Sequence, residues 1–158
     1  MTRDDDPPER TVEVVDSTGR LAVEEVGWLT DHLTRALVEL GASGEVRARV
    51  VDDAAMAQAH RRHAGVEGTT DVLTFDLSEE AGRLDVDLLV CLDEAERRGA
   101  ELGHAREREM LLYMVHGVLH CLGHDDADEA AARRMHAEED RVLAAIGVGA
   151  TFHPGEGA

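Results

Sequence analysis

The segment LLYMVHGVLHCLGHDDAD, residues 111–128, constrains the chain most. Its apolar residues fall at helical spacing, which predicts a strongly apolar helix over Glu107 to Leu122, and this helix carries His116 and His120 four residues apart. At about 100° per residue the two imidazoles stand about 40° apart around the helix axis, near enough to share one tetrahedral ion. An isolated HxxxH pair is more often structural than ligating, but here Gly123 follows, where a left-handed glycine ends the helix and turns the chain back. The polar residues His124, Asp125 and Asp126 come next, completing the pattern HxxxHxxGxxD. A catalytic zinc site needs three protein ligands and an open position for water, the third ligand arriving from outside the two-ligand helix. Asp126 is placed to supply it. His124, which follows Gly123 directly and has less chain with which to reach back, is the alternative third ligand. Cys121 lies about 100° from His120 and about 140° from His116 around the axis, so it is expected to face a sheet. Zinc peptidases of the HExxHxxGxxH kind share this spacing. Their Glu general base falls on Gly117 here, and glycine transfers no proton.

The rest of the chain alternates strand and helix signals. Thr11 to Val15, Val46 to Val51, Val72 to Leu77 and Val86 to Cys91 read as strands. Leu21 to Leu40 repeats apolar residues at helical spacing, and Asp52 or Asp53 is placed to cap a short helix from Met56 to about His63. Helices are also expected over Leu92 to Leu102 and Asp128 to Ile146. The fold class expected is α/β (α+β): one mixed four-stranded sheet packed with about five helices, the metal site lying on a C-terminal helix and the loop after it. Residues 11–148 read as a single domain, while 1–10 and 149–158, rich in Pro, Gly and acids, read as disordered tails.

Charge narrows the partners. The formal net charge is −18, from 34 acids and 16 bases, and every base is Arg. Such a body repels a phosphate backbone at long range and binds nucleic acid poorly without a local basic or metal focus. His60, Arg61, Arg62 and His63 form the dense basic cluster nearest a motif, and a guanidinium suits bidentate phosphate binding; an exposed helix face paired to acids is the competing interpretation. The acids at 93, 94, 96 and 138–140 read as solvated faces. Cys91 and Cys121 form no CxxC pair and read as reduced core thiols. The start MTRDDDPPER is acidic where a secretory signal is basic and then apolar, and no stretch suits a bilayer, so a cytoplasmic location is expected.

Two motifs in order carry a family resemblance. HGVLHCLGHDD, from His116 to Asp126, resembles the HGxLHLxGxDH signature of the bacterial YbeY endoribonucleases, and TDVLTF, from Thr70 to Phe75, resembles their TDVLSF. LDVDLLVC at 84–91 is similar to the family's GDIVI strand, and the closing MHAEEDRVLAAIG at 135–147 also resembles the family, so the likeness spans most of residues 50–147. The resemblance implies a single-strand-specific ribonuclease that matures the 3′ end of small-subunit ribosomal RNA and acts in ribosome quality control with one zinc. By motif position the metal ligands are His116, His120 and Asp126. Two departures stand out. Asp126 replaces the family's third histidine while His124 takes its usual Tyr position, and the added negative charge makes the metal a weaker acidifier of its water and favours harder ions. The family's arginine, six residues before the motif Thr, falls on Ala64, with Arg61 and Arg62 one helical turn earlier.

The expectation is therefore hydrolysis of single-stranded RNA, with the metal-bound water as the proton acceptor because no side-chain base is identified. Arg61, Arg62, Thr70 and Asp71 are the candidate substrate contacts, although Thr70 and Asp71 equally suit the start of a strand. The ribosomal particle or its proteins are the expected partners. A zinc metallopeptidase and a non-catalytic assembly factor with a structural metal are the alternatives.

Overall fold

The computed structural model describes residues 9–149. Strand β1 (Arg10–Asp16) leads into α1 (Val23–Glu39), then β2 (Ser43–Val51), α2 (Asp53–Ala64), β3 (Val72–Asp76), β4 (Arg83–Cys91), α3 (Leu92–Leu102), α4 (Arg106–Cys121) and α5 (Glu129–Ala145). The four strands form one sheet in the order β1-β2-β4-β3. β1, β2 and β4 run parallel, and β3 returns antiparallel to β4 as an edge. The expected fold class is borne out.

Period-two alternation decides the faces of the sheet. Val46, Ala48 and Val50 of β2 pair with Val86, Leu88 and Val90 of β4 and are all buried on one face. Arg47 and Arg49 of β2, with Asp85 and Asp87 of β4, point the other way. The buried face is covered by α1, through Leu29, Leu33, Ala36 and Leu37, and by α4, which also touches α3, α5 and both β3 and β4. Among the described residues, α2 covers one end of the opposite face, where Met56 closes a small cluster with Val51 and Cys91.

Several boundaries differ from expectation for identifiable reasons. Arg10 belongs to β1, not to a tail, and its guanidinium Nε–H donates to the Ala42 carbonyl at 2.6 Å. Gly149 also lies within the described chain, its N–H bonded to Leu143 O at 3.0 Å, whereas residues 1–8 and 150–158 of the expected tails lie outside the described residues. Helix α1 starts at Val23 rather than Leu21 because the Asp16 carboxylate captures the Thr18 N–H and hydroxyl and the Leu21 N–H, folding the intervening residues into a loop. Asp52 is the cap of α2, accepting the Ala55 N–H at 2.9 Å, while Asp53 binds Arg97. Both cysteines are free, and burial pushes both thiols up, Cys121 to about 11.

Candidate metal centre

The position of α4 against the sheet depends on Gly117. A Cβ there would meet Leu88 Cδ2 at 2.7 Å and Thr74 Oγ1 at 2.8 Å, so only glycine lets the helix lie this close to β3 and β4. The same contact leaves no space for the glutamate of a zinc peptidase. Cys121, one turn on, packs against the main core, as its helical phase requires.

His116 and His120 leave the helix on a different face. Their Nε2 atoms lie 3.2 Å apart, close to the roughly 3.3 Å that separates two nitrogens of a tetrahedral zinc ion with ordinary bond lengths. Gly123, at φ 101°, turns the chain, and the His124 N–H closes back onto Leu119 O at 3.0 Å. The short loop that follows carries Asp126 to the imidazoles: one donor atom each from His116, His120 and Asp126 lies within 4.8 Å of the others. His124 is not in this group. It lies near α5, where its charge bears on Glu138.

Glu139 is the residue that sequence reasoning placed wrongly. Expected on a solvated face, it is 2 % exposed, and its carboxylate accepts from His116 Nδ1 at 2.5 Å and from His136 Nδ1 at 3.1 Å. Its phase on α5 held the clue, because it falls with Ala131, Met135 and Val142 on the buried stripe. With Nδ1–H donated to Glu139, the His116 Nε2 lone pair faces His120, the tautomer a metal ligand requires. Burial pulls the His116 imidazole down, but the Glu139 hydrogen bond and the charges of Glu139, Asp71 and Asp126 outweigh it and hold the group above its ordinary value.

The other acids expected on solvated faces are also engaged: Asp93 pairs with Arg20, Glu94 with Arg97, Glu96 with Arg20 and Arg106, and Glu138 with Arg141. The stripe of α4 that carries the histidines continues through Tyr113 to Glu109. Glu109 is buried and faces His104 at 3.6 Å, and burial followed by the charge of Glu109 pushes the Tyr113 phenol well up.

The remaining candidates surround this centre unevenly. Asp71 immediately precedes β3; its Oδ1 accepts the Val72 N–H at 2.7 Å and the Thr70 hydroxyl at 3.4 Å, and its charge bears on His116. Arg61 and Arg62 stand exposed on the last turn of α2, and neither has an ion-pair partner among the described residues. Next to them His60 Nδ1 contacts Gly68 O at 3.0 Å, and the His63 ring meets Phe75 edge-on at 5.0 Å. The basic cluster is thereby tied to the strand that carries TDVLTF.

Comparison with known proteins agrees with the geometry. The family described as endoribonuclease YbeY matches residues 14–147. This chain belongs to the YbeY endoribonuclease family. Endoribonuclease YbeY of Pelotomaculum thermopropionicum is 38% identical over 138 residues, covering 79% of this chain and 90% of the relative. That of Halorhodospira halophila is 40% identical over 114 residues, covering 68% and 74% respectively. A solution structure of a Thermotoga maritima protein superimposes with a TM-score of 0.58 at 19% identity, covering 93% of this chain and 99% of that one, and so supports the fold. Membership makes this YbeY protein a metal-dependent nuclease acting on RNA, and no helix among the described residues is long and apolar enough to cross a membrane.

Proposed function

We propose that this chain is a cytoplasmic, single-strand-specific endoribonuclease that trims the 3′ end of small-subunit ribosomal RNA and acts in ribosome quality control, with one zinc held by His116, His120 and Asp126. The donor set carries this reading: two imidazole nitrogens 3.2 Å apart, the first oriented by a buried carboxylate, with a third oxygen ligand arriving from the loop after the helix. Two nitrogens and one oxygen suit zinc and leave a fourth position open. A divalent ion bound there supplies Lewis acidity toward a phosphoryl oxygen and lowers the pKa of water by several units.

The protein's own groups do the remaining work. Glu139 fixes the His116 ring and its tautomer. Arg61 and Arg62, without carboxylate partners, are free to hold substrate phosphates, while Thr70 and Asp71 shape the rim of the centre at the start of β3. Asp126 adds a negative charge that a third histidine would not, which makes the bound ion a milder acid. Since the body carries a charge of −18, docking on the ribosomal particle, including its basic proteins, supplies the encounter that bare RNA does not.

The test is elemental analysis of protein purified without added metal, with cleavage assays on single-stranded RNA, duplex RNA, DNA and casein. One zinc per chain and cleavage confined to single-stranded RNA are expected. Cleavage of casein without RNA would transfer the site to peptide hydrolysis, and bound zinc with no cleavage at all would make the metal structural.

A further inference from the structure

Among the described residues the face of the sheet turned away from α4 is covered by α2 at one end, and beside α2 it holds a groove of about 330 Å³. This volume is at the lower end of ligand clefts. Its floor contains Val15 and Leu89, and Phe75 and His63 form one wall, the two rings edge-on at 5.0 Å. An aromatic ring in such a place is notable in a chain with two Phe, one Trp and one Tyr in all.

Two arginines reach the same groove in different electrostatic states. Arg47 is neutralised by Glu45, Asp85 and Asp87, with Glu13 beside it in register on β1. Arg49 is exposed, and its guanidinium donates to the uncharged Ser17 hydroxyl at 2.8 Å, with no carboxylate partner among the described residues. The groove therefore has an acidic, self-satisfied end at Arg47 and a cationic end at Arg49, next to an aromatic face.

We infer that this groove is a nucleotide subsite for the single-stranded RNA substrate, with a base stacked against Phe75 and His63 and a flanking phosphate on Arg49. The inference rests on the ribonuclease reading above and extends it from the metal centre to the far side of the sheet. Stacking platforms with a nearby cation are how proteins hold single strands without reading sequence, and a duplex, whose bases are already stacked, does not fit one. β3 provides the connection. Thr74 faces α4 beside Gly117, the neighbour of His116, while Phe75, the next residue, faces the groove. β3 is also the edge of the sheet, so a strand leaving the two histidines crosses one edge strand to reach the subsite. This places three arginines that have no carboxylate partner among the described residues, Arg49, Arg61 and Arg62, on one route.

The test uses the intact protein with its metal. Single-stranded RNA carrying 5-bromouridine is cross-linked under ultraviolet light and the adducts are mapped by mass spectrometry; adducts on His63 or Phe75 are expected. In parallel, Phe75→Ala and Arg49→Ala are each expected to raise the KM for a single-stranded oligonucleotide by about tenfold, with wild-type metal content and melting temperature. Phe75→Trp should restore tight binding. Cross-links confined to surfaces away from this groove, or an unchanged KM in Arg49→Ala, would overturn the subsite even if Phe75→Ala fails to fold. The failure of the ribonuclease reading is distinct: the wild-type protein would then cleave no RNA.

Discussion

Replacing Glu139 tests the metal centre without touching a ligand. Its carboxylate holds His116 Nδ1 at 2.5 Å and is 2 % exposed, so the bond is charge-assisted and shielded from water. Hydrogen bonds to charged groups contribute about 1.5–3 kcal/mol, and loss of a partner behind a metal-bound histidine lowers affinity by about 10- to 100-fold. Glu139→Gln keeps an oxygen that accepts from Nδ1–H but loses the charge, so zinc affinity should fall about tenfold, or about 1.4 kcal/mol. Glu139→Ala removes the acceptor altogether and frees the ring to rotate, so the loss should approach about a hundredfold. Competition with a chromophoric chelator at constant pH measures both, and the melting temperature of the metal-free protein separates a loosened site from a loosened fold. Glu138→Gln, which loses the ion pair with Arg141 and removes no contact to His116, His120 or Asp126, is the control. Wild-type affinity in both Glu139 variants, or equal losses in the control, would refute the orientation of His116 by Glu139.

Other outcomes follow from the same structure. Asp126→Ala should lose metal far more than His124→Ala, and Asp126→His should regain it and lower the kinetic pKa, both read by elemental analysis and pH–rate profiles; the reverse order would assign the third position to His124. Gly117→Ala should destabilise the protein by about 1–3 kcal/mol in denaturant titration, because the new methyl group meets Leu88 and Thr74 at under 3 Å. The Arg106 guanidinium holds the Glu25 carboxyl at about 2, so this pair stabilises the fold fully above the ordinary carboxylate value and is lost as pH falls toward 2. Glu25→Gln should thus cost about 1–2 kcal/mol at neutral pH, after allowance for solvent screening, and nothing in strong acid. Affinity for single-stranded RNA should fall gently with salt, at a slope equivalent to about one to three phosphate contacts of roughly −0.7 each, whereas a slope typical of six or more would reveal a basic surface that the charge distribution does not contain.

What the sequence made legible was local. Helical spacing placed His116 and His120 on one face, the glycine stop brought Asp126 rather than His124 beside them, and the angle of Cys121 put it on the core side. The strands were found by alternation, but their order was not, because pairing β2 with β4 and turning β3 antiparallel depends on contacts between distant segments. Glu139 was missed for a similar reason: it sits 23 residues from His116, and its role exists only because α5 packs on α4. A charged residue in the apolar phase of a helix was the available signal, and the neighbouring acids Glu138 and Asp140 hid it. The free charge of Arg49 was equally illegible, since it depends on Arg47 drawing the nearby carboxylates.

The wedging of α4 between the sheet and α5 also bears on how far the fold depends on the proposed metal. Small zinc domains commonly fold only as the ion arrives. Here protein contacts alone orient the helix that carries the two histidines, one side fixed through Gly117 and the other through Glu139, whereas Asp126 lies exposed on a loop. The helix acts as a permanent seat and the loop carboxylate as a latch. On the proposed reading, substitutions in the few residues around Gly123 should change metal affinity while leaving the stability of the core at its wild-type value.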